Sequence, residues 1–205
     1  MIRAVAVGFA FAALLPLVVA RASHDDGPPP TGCRPPDSRT LAATRQARVF
    51  RLDDLRTYAC LYSRDEPVRI GREEVERPIR FAGRFVAYAF RDLGDEDVRA
   101  FTDMRVIDLV SGRRRRACAF FSRVYGCAED AQLHRVLLRR TGGVAWVSES
   151  WISPTSETRK RQLWRLDARG RSRLAYGGHI RRMRFCAQGR ICWEQRGETR
   201  SASLH

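Results

Sequence analysis

The residues able to do chemistry in this 205-residue chain are six cysteines, four histidines, one cluster of carboxylates and a large excess of arginine. The six cysteines form an even set, which suits an oxidising compartment. Cys118 and Cys127 flank a short aromatic stretch, and Cys186 and Cys192 flank the turn Gln188-Gly189-Arg190. Local spacing therefore favours these two pairs and leaves Cys33 to join Cys60. No Cys-x-x-Cys occurs, which argues against a redox motif or a zinc ribbon. His134 and His179 each fall near a predicted strand onset, where equivalent repeats could bring them together as a metal pair. Surface or turn histidines are the expected reading, with His24 in a linker and His205 last in the chain. Asp92, Asp95, Glu96 and Asp97 could offer hard oxygens to Ca²⁺, but they lack an EF-hand register. An acidic hydrated loop is expected instead. There is no His-Glu-x-x-His, Gly-x-Ser-x-Gly or Walker pattern. No catalytic residue, cofactor site or metal ligand is assigned.

Arginine dominates the charge. The formal net charge is +15 with 38 basic residues, of which Lys160 is the sole lysine, and asparagine is absent. Both features fit GC-rich coding, so part of the charge is expected to be a solvated, codon-biased surface. The densest run is Arg113, Arg114, Arg115 and Arg116, and a later cluster holds Arg181, Arg182 and Arg184. Consecutive strand residues point to opposite faces, so one strand cannot turn all four arginines of the run toward one ligand. Contributions from several strands could still form an anion-binding patch, because the guanidinium fork suits phosphate and carboxylate. Aromatics do not interleave with these runs along the chain, so a nucleic-acid stacking platform is not expected. Trp151 opens a polar connection that runs to Thr158. Such loops often carry binding residues, although packing of Trp151 over a sheet edge is the plainer expectation.

These residues need a scaffold, and the sequence points to short strands. Residues 1–22 have the form of a signal peptide: basic Arg3, an apolar run from Val5 to Ala20, and Ala20-Arg21-Ala22 as a small-x-small cleavage site. The run is short for a bilayer span, so no membrane span is expected after cleavage. Residues 23–38 form a Pro-rich linker and residues 39–205 one β domain. Within it, Tyr58, Tyr88, Trp146 and Trp193 each follow an apolar run at nearly fixed distance, and Gly83, Gly142-Gly143 and Gly189 open the last three of these strands. The markers are 30, 58 and 47 residues apart. Four units follow, at about 48–71, 79–118, 134–176 and 180–205, the first abbreviated and the last cut short. The segment 71–77 is expected to be a loop.

The best-formed unit reads Gly83-Arg-Phe-Val-Ala-Tyr88, a loop, Arg105-Val-Ile-Asp-Leu109, Ser111-Gly112 and Arg113-Arg114. It resembles a blade of TolB-type or WD-repeat-like β-propellers, although the Ser-Pro-Asp-Gly turn of that group is absent. The resemblance implies scaffolding or ligand binding more often than catalysis, and it transfers no catalytic residue. The fold class expected is all-β, built of antiparallel four-stranded meanders as a small or incomplete propeller, with a β-sandwich as the alternative. The function expected is an exported, non-catalytic binding or scaffold module with a basic surface, secreted or held in the cell envelope. Its partner would be an anionic envelope polymer or another protein. The alternatives are a secreted hydrolase with residues dispersed over loops and an electrostatic binder of anionic polymers.

Overall fold

The computed structural model describes residues 28–72, 74–92, 100–122, 126–128, 131–151 and 158–205. Asp95, Glu96, Asp97 and His24, residues 1–22 that were expected to be a signal peptide, and the centre of the loop after Trp151 lie outside the described residues. The chain forms successive antiparallel meanders. The first sheet is β1 (Ser38–Ala43), β2 (Ala47–Leu52), β3 (Thr57–Leu61) and β4 (Pro67–Gly71). The second is β5 (Val75–Ala82), β6 (Phe85–Asp92), β7 (Phe101–Asp108) and β8 (Arg114–Cys118). A two-stranded ribbon, β9 (Phe121–Ser122) and β10 (Gly126–Cys127), precedes the third sheet. That sheet is β11 (Gln132–Leu138), β12 (Val144–Trp151), β13 (Arg159–Asp167) and β14 (Gly170–Tyr176). The fourth has three strands, β15 (Ile180–Phe185), β16 (Arg190–Gln195) and β17 (Glu198–Ser203). The fold is all-β and propeller-like: separate small meanders follow one another, rather than two large sheets facing each other as in a sandwich.

Local chemistry explains the hairpins. Two residues, Gly83 and Arg84, join β5 to β6, and Gly83 takes φ 59°, a conformation that glycine adopts without the Cβ penalty. Gly142 is needed for a second reason: a Cβ there would sit 2.7 Å from the Phe85 ring of the preceding sheet. Side chains alternate along many of the strands, but the second strands of the second and third sheets are buried on both sides. In β6, Val86 through Phe90 are all buried, and in β12 so are Val144 through Ser148. This is the signature of a sheet packed between two others.

Three apolar clusters cement consecutive sheets. Val49, Ile70, Val86 and Ile107 join the first sheet to the second. Ala87, Met104, Val144 and Trp146 join the second to the third. Val147, Leu163, Met183 and Ile191 join the third to the fourth. No cluster of the described residues joins the fourth sheet to the first. The free face of the first sheet is covered by the entry segment instead, where Cys33 packs with Phe50, Tyr58 and Cys60. The far face of the fourth sheet carries Arg182 and Glu194, which pair at 3.0 Å, and stays polar as a terminal repeat must.

Two details differ from the sequence reading. The first sheet has a further strand, β1, so Tyr58 lies on a third strand while Tyr88, Trp146 and Trp193 lie on second strands. The counterpart of Tyr88 is Phe50, which lies directly opposite Tyr58 and stacks on it at 5.8 Å. Pairing across a hairpin put two aromatics at one level, and the sequence pattern alone favoured the wrong one. With Phe50 as marker the first spacing becomes 38 residues. Val75, Glu76 and Arg77, expected in a loop, are the start of β5. Their pairing with Phe90 and Ala89 overrides a polar local sequence.

The marker aromatics also tie the sheets together. Tyr88 Oη donates to the Ile70 carbonyl of the first sheet at 3.0 Å. Trp146 Nε1 donates to the Ala119 carbonyl, just past β8, at 2.7 Å.

Candidate functional site

The hairpins joining the first two strands of all four sheets converge on one cavity of about 730 Å³. Thr44, Arg45 and Gln46 come from the first sheet and Phe81, Ala82 and Gly83 from the second. Leu138, Arg139 and Arg140 come from the third, and Phe185, Cys186 and Gly189 from the fourth. The wall is apolar at Phe81, Leu138 and Phe185, the last 44% exposed. Among the described residues the polar lining is cationic or neutral, with no carboxylate. Arg139 is committed to the scaffold: its Nη1 donates to the carbonyls of Gly189, at 3.1 Å, and Leu204. Arg140 lays its methylenes near the Gly83 turn and is exposed, as is Arg45. The arrangement can hold an anion with an apolar portion. Sequence reading missed Arg45, a lone arginine in its turn, and saw Arg140 only as part of the Arg139-Arg140 pair, because the two reach one cavity only through convergence of turns.

The arginines singled out in the sequence divide by role. Arg114 Nη2 donates to the Arg69 carbonyl of the first sheet. Arg115 Nη2 donates to the Gly142 carbonyl of the third at 2.6 Å. The run thus straddles its strand, and two members act as ties to the sheets on either side. Arg51, reaching Val75 O at 2.9 Å, and Arg165, reaching Ser203 O at 2.7 Å, do the same elsewhere. A hydrogen bond from a charged donor contributes about 1.5–3 kcal/mol. Arg113 and Arg116 are exposed. Arg181, Arg182 and Arg184 lie on β15 of the fourth sheet, whereas Arg113–Arg116 flank or form β8 of the second. Among the described residues no hydrogen bond or cavity unites the two groups.

His134 lies within β11 and its Nε2 meets Glu149 Oε2 at 3.1 Å. His179 occupies the turn before β15 at φ 67°. Leu204 is buried, and the His205 N–H donates to Asp167 Oδ2 at 3.2 Å. Trp151 ends β12 with the Arg159 guanidinium over its ring at 5.0 Å, a packing contact at the sheet edge. The cysteines pair as Cys33–Cys60, Cys118–Cys127 and Cys186–Cys192. Asp65 and Asp103 each approach one of these bridges closely enough to resemble a ligand set, but the sulfurs are consumed in disulfides. Three disulfides fit an oxidising environment. Among the described residues no helix is long and apolar enough to cross a membrane.

Asp103 is buried on β7 beside Arg105, at 3.7 Å. Burial raises its carboxyl above the usual range, with Arg105 and Arg116 opposing. Glu149 goes the other way: the hydrogen bond from Arg161 Nε, at 2.7 Å, holds it below the usual range against partial burial, with His134 helping. A depressed carboxylate stabilises the fold above its unfolded value, and that contribution is lost as pH falls toward the folded value. Glu149→Gln is therefore expected to lower the thermal midpoint at neutral pH and to flatten its decline below about pH 4.5. Melting curves of both proteins from neutral to acid pH check this; parallel declines would refute it.

No family model matches the chain, and no curated protein does. Among solved structures, the crystal structure of the tricorn protease aligns with a TM-score of 0.43 and 13% identity, covering 72% of this chain and 18% of the protease chain.

Proposed function

We propose that the chain is an exported, non-catalytic binding module, a propeller-like scaffold of TolB or WD-repeat type acting outside the cytoplasm. Its ligand is an anion with an apolar portion, held where the four first hairpins meet. The observation that carries this reading is the cavity itself: turns from every sheet, an apolar wall at Phe81, Leu138 and Phe185, two exposed arginines and no carboxylate. Ligand sites are commonly apolar concavities with a few placed polar groups. The disulfides and the leader-like N-terminus support export.

Calorimetric titration with decanoate and decyl phosphate, against decanol, tests it. The anions are expected to bind at least tenfold more tightly than the alcohol. Arg45→Glu combined with Arg140→Glu is expected to remove that preference without moving the thermal midpoint, since both side chains are exposed. Equal binding of alcohol and acid, or binding indifferent to the double variant, would defeat the proposal. Turnover of esters, glycosides or peptides in an activity screen would replace it with an enzyme.

A further inference from the structure

A second basic feature lies outside the cavity, on the outer half of the third sheet. The Arg171 Cζ lies over Phe121 and over Trp164, 5.2 Å from each ring centre. The Arg173 Cζ lies over the same Trp164 at 5.9 Å and over Tyr176 at 5.0 Å. Three aromatics and two guanidiniums thus form a continuous ladder across β9, β13 and β14. Its rings are fixed from beneath by Gln162, which is buried. Gln162 Oε1 accepts from Trp164 Nε1 at 2.7 Å and from the Phe121 N–H at 3.0 Å, and its Nε2 donates to the Phe121 carbonyl at 2.8 Å. The Cys118–Cys127 disulfide closes the segment that carries Phe121, whose Cα partner is Cys127.

The two arginines differ from those that tie sheets together. Both are exposed, and neither makes a hydrogen bond or ion pair to a described residue. Each guanidinium carbon lies 5.0–5.9 Å from two ring centres, within cation–π range, and neither fork is spent on an acceptor among the described residues. Cation–π contact orients a guanidinium without using its in-plane donors. Two residues apart on one strand, they sit at a repeat of about 7 Å.

We propose that this ladder is a docking surface for an acidic polysaccharide, a linear chain whose sulfate or carboxylate groups are received by the Arg171 and Arg173 forks. Each aromatic already carries a guanidinium, which disfavours base stacking and hence single-stranded nucleic acid. The disulfides place the surface in an oxidising setting, where acidic polysaccharides occur. The inference stands apart from the cavity: no residue of the ladder lines it.

The test measures heparin and alginate binding by biolayer interferometry across a salt series, using the intact protein. Heparin carries sulfate as well as carboxylate and alginate carboxylate alone, so the two arms show whether sulfate is needed. Arg171→Gln with Arg173→Gln is expected to weaken binding at least tenfold at near-physiological salt and to reduce the salt slope by about one to two. Arg181→Gln with Arg184→Gln removes equal charge from a region with no ladder and is expected to cost less than threefold. Arg171→Lys with Arg173→Lys keeps the charge but loses the fork, and is expected to behave like the glutamine pair. Equal losses for both glutamine pairs, or full retention in the lysine pair, would reduce the effect to net charge and overturn the proposal. So would oligo(dT) binding tighter than both polysaccharides and dependent on the same arginines. Thermal midpoints identify any variant that misfolds; for these, Tyr176→Ala, at the exposed end of the ladder, is the second probe and is expected to weaken binding at least threefold. The cavity variant Arg45→Glu with Arg140→Glu serves in the same assay: a selective loss of alkyl-anion binding separates the two sites, whichever proposal fails.

Discussion

Replacing Trp146 with alanine is expected to destabilise the protein by about 3–5 kcal/mol, about a fifth or more of what a domain of this kind typically has. The ring is fully buried between the second and third sheets. Its Nε1 donates to Ala119 O, which also accepts from Ser148 Oγ. Removal therefore opens a large void and unties the sheet from the carbonyl beyond β8. Trp193 provides the internal comparison. It occupies the equivalent strand and is also buried, but its Nε1 has no partner among the described residues. Trp146→Phe should thus cost about 1 kcal/mol more than Trp193→Phe, because only the former gives up a hydrogen bond. Urea unfolding of the four variants would check both statements. Equal losses for the two phenylalanine variants would mean that the tie from Trp146 contributes nothing.

The second large effect concerns the entry segment. Cys33→Ser combined with Cys60→Ser is expected to cost about 3.5 kcal/mol from loop entropy alone, since the bridge spans 27 residues. The bridges spanning 9 and 6 residues should cost about 2.6 and 2.2 kcal/mol. The structure adds a reason for the first to lead. Cys33 covers Phe50 and Tyr58 on the face of the first sheet that no other sheet protects. Two bonds partly hold the segment without the bridge: Asp65 Oδ1 accepts from the Cys33 N–H at 2.7 Å, and Arg48 Nη1 donates to the Cys33 carbonyl at 3.1 Å. The variant should therefore remain folded in dilute buffer but unfold at a clearly lower urea midpoint. A shift no larger than that of the Cys186–Cys192 pair would show that the segment does not cap the array.

The strand-rich character, the glycine turns and the neighbour-wise cysteine pairing were legible in the sequence because each depends on residues close in the chain. Gly83 needs a positive φ only for its own hairpin, and Cys186 and Cys192 face each other across a single turn. Alternation in Arg80–Phe81 and Arg105–Val106 reports the pleat of one strand. Errors arose where a neighbour from another strand decided the outcome. Tyr58 had the right distance from an apolar run, but pairing with β2 made Phe50 the residue equivalent to Tyr88. Val75–Arg77 read as loop until their pairing with β6 made them strand.

The arginines mark the same boundary more sharply. The sequence determined their number, their clustering and the rule that strand neighbours face opposite ways. It could not separate Arg115, bonded to Gly142 O, from Arg171, which lies over two rings without an acceptor among the described residues. A backbone carbonyl is the same acceptor in every residue, so no sequence pattern records which guanidinium reaches it. Aromatic and basic residues that are separate along the chain become alternate rungs only when β9, β13 and β14 lie side by side. The cavity is likewise a product of four turns distant in sequence. Local conformational preference, carried by residue type, set the strands and turns; their relative placement, set by which apolar faces bury one another, decided where charge remains free to bind.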